Sequence, residues 1–168
     1  MFDVFAQIVE HLNKHYGRDM EFIICGKCDF SHLAEKLSHY DNVKWLGYVT
    51  DIALVEVYQK AHVLVAPSRY GYEEFLFTSI EAQACGTPVI ASDILGPRDN
   101  VINGRTGFLV RPSPEEFVKR IMFLKNLWQG SRETYEQYSK NARENALAYD
   151  WSIIVDKLEK MFTEVSRL

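Results

Sequence analysis

The 168-residue sequence lacks long apolar runs, contains little cysteine and carries no excess of positive charge, and each shortage excludes a class of protein. Three cysteines are too few, and odd in number, for a disulfide framework. The net charge is −4 with scattered basic residues, which gives no electrostatic footprint for nucleic acid. No apolar run approaches the roughly 18 residues that span a bilayer, and no signal peptide precedes the first predicted helix. We therefore expect a cytoplasmic protein.

The apolar content is sufficient for one well-packed domain, because 47% of the residues are hydrophobic and 13% are aromatic. Short apolar runs typical of buried strands alternate with helical periodicity as far as residue 112, and only helical patterns follow. We predict an α/β fold with a Rossmann-like, doubly wound parallel sheet in residues 1–112. Residues 113–168 are predicted to form C-terminal helices that pack on the same domain.

The stretch Val63–Ile90 is predicted to form one strand–helix–strand unit. Val63–Ala66 is a continuous apolar run, the pattern of a strand buried on both faces. Helical spacing of apolar residues follows from about Glu74 to Ala84, and a second buried strand begins at Val89. The helix therefore begins at the carboxyl edge of the sheet, where anions and nucleotides bind.

Two carboxylates mark this unit, Glu73 at the helix entrance and Glu81 two turns further in. The helix of Glu81 lies between two buried strands, so a charge there is costly unless a hydrogen bond satisfies it. Helical side chains lean toward the amino terminus, which directs Glu81 toward the ligand edge. Alternatively, Glu81 faces solvent or forms a salt bridge with an arginine.

Glu73 and Glu81, with seven residues between them, resemble the donor-site signature of the retaining group 1 glycosyltransferases of GT-B fold. The resemblance covers most of the chain. Its other motifs are Ala66-Pro67-Ser68, Ala82, Ala84, Gly86, Pro88-Val89, Ser92-Asp93, Gly96-Pro97-Arg98, Val101-Ile102, Asn103-Gly104, Thr106-Gly107-Phe108-Leu109-Val110 and Trp151-Ser152.

The resemblance implies an enzyme, a hexosyltransferase that transfers a sugar from a UDP- or GDP-sugar to a glycan, lipid or other acceptor, as in polysaccharide biosynthesis. It implies no cofactor and no metal. Glu73 would contact the donor sugar and is the catalytic candidate, and Glu81 would accept hydrogen bonds from the ribose hydroxyls. Main-chain amides of Phe75, Leu76 and Phe77 would hold the diphosphate at the helix start.

Further donor-binding residues are implied at the ends of three predicted strands. Gly26 follows the first strand near the donor phosphates, and Ser68 follows the strand that precedes the helix. In the resembling family the corner formed here by Gly47, Tyr48 and Val49 lies over the nucleotide base. Tyr48 would stack on that base or pack against the next helix.

The sequence departs from the family pattern at two positions, because Glu74 and Leu76 stand where glycine is common. Glycine allows close approach of the backbone to phosphate, and Glu74 adds negative charge beside it. A non-catalytic domain is therefore an alternative. Arg98 or Arg69 would neutralise a diphosphate, or would pair with Glu73 or Asp99.

Two other motifs have weaker functional interpretations. Cys25 and Cys28 form a CxxC pattern, but the motif follows a strand directly and no second ligand pair accompanies it, so neither a redox site nor a zinc site is favoured. His11 and His15 share one helix face without a third ligand and are predicted to be solvated.

The chain opens on a helix, whereas the resembling family places before that helix a strand ending in Gly-Arg and a loop with a lysine. In the order 3-2-1-4-5-6 that strand would be central. Three explanations are open: the chain is a fragment, another chain supplies the strand, or the sheet closes without it. We expect an N-terminal acceptor-binding domain in the full-length protein or in a partner chain, with peripheral membrane association possible through that half. Alternative functions are a partner-dependent nucleotide-sugar-binding module and a sugar-nucleotide epimerase.

Overall fold

The computed structural model describes residues 2–26, 31–68 and 75–166, and this part of the chain alternates helices and strands before ending in helices. The strands are β1 (Phe22–Cys25), β2 (Val43–Gly47), β3 (Leu64–Ala66), β4 (Val89–Ser92) and β5 (Gly107–Val110). The helices are α1 (Phe2–Tyr16), α2 (Ser31–Ser38), α3 (Asp51–Lys60), α4 (Phe77–Ala84), α5 (Leu95–Asn100), α6 (Pro114–Gly130), α7 (Arg132–Leu147) and α8 (Trp151–Val165).

All described strand pairs are parallel, which confirms the predicted α/β class. β1 pairs with β2 in one sheet, and β3, β4 and β5 form a second sheet in that order. In the second sheet Val65 lies opposite Ile90, and Ile90 lies opposite Phe108. The carboxyl ends of β3 and β4 therefore meet at one edge, as the strand–helix–strand prediction requires.

The sheet is divided between β1 and β3, and within the described residues no strand pairing joins the two halves. Helix α1 packs against both sheets and so bridges this division. Its residues Ile8 and Leu12 belong to the core over β4 and β5, whereas Ala6 and Val9 belong to the core over β1 and β2. Of the three explanations left open by the sequence, the one in which the sheet closes without a further strand does not hold for this part of the chain, since β1 and β3 are not paired with each other.

Along the unpaired edges of β1 and β3, every second backbone N–H group points away from the neighbouring strand. Phe22 donates its N–H to the carbonyl that precedes β2, at 2.8 Å, and Leu64 donates to the carbonyl that precedes β4, at 2.9 Å. Successive residues of a strand direct their N–H groups to opposite sides. The N–H groups of Ile23 and Cys25 in β1, and of Val65 in β3, therefore point into the division.

Helices cover the three-stranded sheet on both faces. On one face, Ile90 and Phe108 pack with α1 and α6 around Phe117. On the other face, Val89 and Ala91 pack with α3 and α4. The site at the carboxyl edge is thus held between two packed layers.

Two local predictions differ from the structure. The stretch Ser92–Asn100 is predicted as a loop, but α5 occupies most of it. Pro97 is the third residue of that helix, where its missing N–H leaves no hydrogen bond unmade. Helix α4 begins at Phe77 rather than near Glu74, because Leu76 before it has a non-helical ψ of 81°.

The C-terminal helices divide into packed and unpacked segments. Helices α6 and α7 contribute Phe117, Ile121 and Tyr135 to the core. Helix α8 has no buried residue, and its Trp151 and Phe162 are 76% and 72% exposed. In the described part of the chain no helix is both long and apolar enough to cross a membrane.

Candidate functional site

Glu81 forms the central hydrogen bond of the candidate site. It is an exposed residue on α4, and its Oε2 accepts a hydrogen bond from the Tyr58 hydroxyl at 3.0 Å. Tyr58 lies on α3 and is only 7% exposed. Glu81 was expected either to be satisfied by a hydrogen bond or to face solvent. Both hold in part, because Glu81 is exposed and its Oε2 accepts a hydrogen bond from the buried Tyr58.

The Tyr58 hydroxyl is a hydrogen-bond donor that stays protonated. Burial raises its pKa well above the usual range, and the charge of Glu81 raises it further. Cys25 at the end of β1 and Cys85 at the end of α4 contribute in the same direction. The phenol therefore remains protonated at neutral pH and donates its proton to the carboxylate.

The start of α4 is fixed by a buried amide. Asn100 donates from Nδ2 to the Leu76 carbonyl oxygen at 3.1 Å and accepts from the Ser79 hydroxyl at 2.5 Å. The N–H of Phe77 turns back to the Phe75 carbonyl at 3.2 Å, so this predicted phosphate-binding amide is engaged within its own segment. Phe75 and Leu76 precede the helix rather than opening it.

A continuation of this buried network joins α4 to α7. Gln83 donates to the Asn100 carbonyl oxygen at 2.9 Å, and Asn145 donates to both that oxygen and Gln83 Oε1 at 2.9 Å. Ser79, Gln83 and Asn100 are almost fully buried. Satisfied buried amides hold the two helices and the end of α5 in one arrangement.

Two buried hydroxyls lie where adjacent strands end. Ser68 follows β3 and Ser92 ends β4, and within the described residues neither Oγ has a hydrogen-bond partner. Unpaired buried hydroxyls are costly. Ser68, a predicted donor-binding residue, therefore offers hydrogen-bonding capacity at this edge of the sheet.

Gly26 and Tyr48 are brought together at the carboxyl ends of β1 and β2. Gly26 has φ +101° and donates its N–H to the Gly47 carbonyl oxygen at 2.7 Å. Tyr48 is 89% exposed, which removes the alternative in which it packs against α3. Val49, half-buried, follows it. The aromatic ring is accessible at the carboxyl end of β2.

Arg98 pairs with Asp93 at 2.6 Å, a partner that the sequence did not suggest. This hydrogen bond lowers the pKa of the Asp93 carboxyl, and both side chains are exposed. Arg69, with the predicted alternative role, lies outside the described residues.

Several other predicted positions also lie outside the described residues, namely Glu73, Glu74 and Cys28. Cys25 and Cys85 are free cysteines, and burial raises the pKa of each thiol. The rings of His11 and His15 lie 4.6 Å apart, but the described part of the chain brings no third potential metal ligand to any such group.

Sequence patterns did not single out Tyr58 or Asn100. Each acts through a partner more than 20 residues away, Glu81 for Tyr58 and Leu76 for Asn100. Tyr58 lies within a predicted helix and Asn100 within a predicted loop, and neither local pattern identifies a distant partner. Taken together, the described edge offers a held carboxylate, two buried hydroxyls and an accessible aromatic ring, a combination suited to a ribose, a phosphate and a base.

A parallel sheet that is covered by helices on both faces and carries polar groups at the carboxyl edge of its strands defines a doubly wound α/β protein. The family model described as glycosyl transferases group 1 matches residues 2–145, and the chain belongs to this family. D-inositol 3-phosphate glycosyltransferase of Corynebacterium diphtheriae is 32% identical over 173 residues, covering 96% of this chain and 38% of the relative. Phosphatidyl-myo-inositol mannosyltransferase of Mycobacterium leprae is 27% identical, covering 88% and 39%.

Solved structures agree on the fold. Sucrose-phosphate synthase of Thermosynechococcus elongatus has a TM-score of 0.78 and 26% identity, covering 96% of this chain and 42% of that one. A glycosyltransferase of Rickettsia africae has a TM-score of 0.84 and 20% identity, covering 98% and 44%. The pneumococcal O-GlcNAc transferase, solved with UDP and GlcNAc, has a TM-score of 0.76 and 22% identity, covering 97% and 33%. The fold is that of one Rossmann-like half of a GT-B glycosyltransferase, and this chain spans about two fifths of the length of the first two relatives named.

Proposed function

We propose that this chain is the nucleotide-sugar-binding half of a retaining glycosyltransferase that transfers a hexose from a UDP- or GDP-sugar to a glycan, lipid or other acceptor. The observation that carries the proposal is the position of Glu81. This residue lies on α4, the helix that follows β3, and its carboxylate is held at 3.0 Å by the Tyr58 hydroxyl of α3. One carboxylate oxygen is engaged by the protein. The other is available to accept hydrogen bonds from ribose hydroxyls.

The remaining donor contacts follow the family signature. Glu73 would position the sugar, and Phe75 and Leu76 would face the diphosphate at the positive end of α4, whereas the N–H of Phe77 is already engaged by the Phe75 carbonyl. Ser68 would supply a hydroxyl, and Tyr48 would stack on the base. Gly26 would line the opposite side of the site.

The proposed chemistry breaks the bond between the anomeric carbon and the diphosphate oxygen, and the electron pair leaves with the diphosphate. The acceptor hydroxyl oxygen forms its bond on the same face of the sugar, and its proton is released to the leaving phosphate. The dipole of α4 and nearby cations would stabilise the charge that develops on the diphosphate. No protein side chain of this chain is assigned as a general base.

The structure of Leu76 weighs against the non-catalytic alternative. Leu76 has φ −88°, a value that any residue adopts, and its side chain is buried in the core between α3 and α4. Glycine is therefore not required there for backbone conformation, and the leucine side chain does not project toward the ligand edge. This argument does not extend to Glu74.

The division between β1 and β3 supports the proposal that a further polypeptide segment completes the sheet. The unpaired edges of β1 and β3 border the same helix, α1, and a central parallel strand would satisfy both. We propose that this strand and the acceptor-binding domain come from the full-length protein or from a partner chain. The exposed apolar side chains of α8 would pack against that half.

Titration calorimetry with UDP, GDP and their sugar conjugates tests donor binding by the 168-residue chain. We expect heat of binding with one nucleotide class, and a loss of about tenfold or more in affinity in Glu81→Ala, since hydrogen bonds to a charged group are worth roughly 1.5–3 kcal/mol. Glu133→Ala, which removes an exposed carboxylate from α7, is the matched control and should bind normally. Absence of binding to every nucleotide would contradict the proposal.

The partner-dependent module is the second candidate, and the divided sheet favours it. Under either candidate the isolated chain binds donor but transfers little or no sugar. Sustained transfer by the purified 168-residue chain would refute that expectation. Restoration of transfer by a separate chain of GT-B N-domain type would favour the module.

A further inference from the structure

The contact between Tyr58 and Glu81 joins a rigid side chain to a mobile one. Tyr58 is buried on α3 and has only two side-chain torsions, whereas Glu81 is an exposed residue with three. An exposed glutamate samples many rotamers, and fixing it costs conformational entropy on ligand binding. The Tyr58 hydroxyl, which donates a hydrogen bond to Glu81 Oε2 at 3.0 Å, restricts this sampling before any ligand binds.

The orientation of the Glu81 carboxylate is suited to binding a ribose. Both side chains lean toward the amino ends of their helices. The start of α4 lies at the carboxyl edge of the sheet, and Glu81 therefore leans toward it. Among the described residues Oε1 has no hydrogen-bond partner, so this oxygen remains for an incoming donor. Ribose hydroxyls are such donors, and 2′-deoxyribose lacks one of them.

We propose that Tyr58 is a positioning residue that orients the Glu81 carboxylate toward the ribose hydroxyls, and thereby determines discrimination between ribonucleotides and deoxyribonucleotides. The proposal rests on the proposed function, in which Glu81 binds the ribose. Tyr58 itself does not contact the nucleotide. Its hydroxyl acts by selecting one rotamer of the glutamate.

The test compares the affinity for UDP with that for 2′-deoxy-UDP, and for GDP with that for 2′-deoxy-GDP, by titration calorimetry on the 168-residue chain. We expect the unaltered chain to prefer the ribonucleotide by about tenfold, as expected for one hydrogen bond to a charged group. Tyr58→Phe should lose most of this preference by weakening ribonucleotide binding more than deoxyribonucleotide binding.

Tyr135→Phe is the matched control. Tyr135 is a second buried tyrosine, and its hydroxyl donates to the His62 carbonyl oxygen at 2.8 Å, at a different place in the fold. Removing this hydroxyl costs a comparable hydrogen bond without touching Glu81. The preference for ribonucleotides should be unchanged in this variant even if its stability falls.

The outcomes separate the two proposals. If Glu81→Gln abolishes the ribonucleotide preference and Tyr58→Phe leaves it intact, the role of Tyr58 is overturned and the function stands. If both variants abolish it and Tyr135→Phe does not, both proposals are supported. If the unaltered chain binds ribonucleotides and deoxyribonucleotides equally well, the role of Tyr58 is overturned while donor binding stands. If it binds no nucleotide, the proposed function fails and the role of Tyr58 fails with it.

A measurement without nucleotide tests the contact itself. Urea unfolding of Tyr58→Phe, Glu81→Gln and the double variant forms a double-mutant cycle. A coupling of roughly fivefold to tenfold in the unfolding equilibrium constant is expected for a hydrogen bond to a charged group at a partly exposed site. Purely additive effects of the two substitutions would overturn the proposal.

Discussion

Asn100 donates a hydrogen bond from its side-chain amide to the main-chain carbonyl oxygen of Leu76, 3.1 Å away. Leu76 is the residue immediately before α4, and Asn100 is the last residue of α5. A residue at one helix end thus fixes the chain at the beginning of another. The position of the α4 amides depends on this single buried side chain.

Asn100→Ala is expected to destabilise the protein by about 2–3 kcal/mol, because the Leu76 carbonyl and the Ser79 hydroxyl would lose their buried partner. Urea unfolding followed by circular dichroism measures the change. Asn141→Ala removes an exposed amide that donates to the Arg105 carbonyl at 3.2 Å, and is expected to cost less than about 1 kcal/mol. Equal losses in the two variants would contradict the assigned importance of Asn100.

Gly107→Ala is expected to prevent normal folding. Gly107 has φ +153°, and a Cβ at this position would lie 1.8 Å from the Val89 carbonyl oxygen. Since β4 is central to its sheet, the clash cannot be relieved without breaking strand pairing, and a loss above about 4 kcal/mol is expected. Gly130→Ala at the end of α6 meets nothing within 4 Å and should instead stabilise by roughly 0.5–1 kcal/mol. Thermal unfolding of both variants checks the contrast.

Amide hydrogen exchange should report the division of the sheet. The N–H groups of Ile23, Cys25 and Val65 point toward the unpaired edges, so they should exchange on the order of tenfold or more faster than that of Ile24. Ile90 in the central strand β4 provides the slow reference. Residue-resolved NMR measures these rates. Uniform protection along β1 would show that its edge is covered.

The free energy of unfolding should rise with pH in the mildly acidic range because of His62. Burial lowers the pKa of His62, and the positive charge of Arg132 lowers it further. Between this lowered pKa and the unfolded value of about 6.5, the unfolded state binds more protons, so stability is lost as pH falls. The His62 side chain reaches solvent as an exposed residue, and solvent screening keeps the effect small.

Urea midpoints at several pH values between 5 and 7.5 measure this dependence. His62→Gln should flatten it. Arg132→Gln should flatten it only in part, because burial is the larger cause and remains. An unchanged slope in His62→Gln would assign the pH dependence to other groups.

Local patterns in the sequence predicted most of the elements. An apolar run located the start of β4 at Val89, and the helical periodicity after residue 112 predicted the C-terminal helices α6, α7 and α8. Helix α5 was missed because Gly96 and Pro97 are typical of turns, although both are compatible with a first helical turn. Elements were predictable because periodicity is local.

The candidate site was predictable only in part. The position of Glu81 on a helix at the ligand edge followed from spacing, but its bond to Tyr58 did not, since that contact depends on how α3 and α4 pack. The same holds for Asn100 and Leu76. The resemblance indicated that a central strand is missing but left open whether the sheet closes without it, because strand pairing cannot be read from periodicity alone.

The two sheets of the described chain are coupled through side chains of α1 rather than through a shared hydrogen-bond ladder. Sliding or tilting one sheet relative to the other would therefore break no main-chain hydrogen bond between strands. Gly26 and Tyr48 are attached to the sheet of β1 and β2, and Glu81 is attached to the sheet of β3, β4 and β5. The distance between Glu81 and the pair Gly26 and Tyr48 is therefore not fixed by hydrogen bonds between strands. A polypeptide strand bound between β1 and β3 would fix this distance.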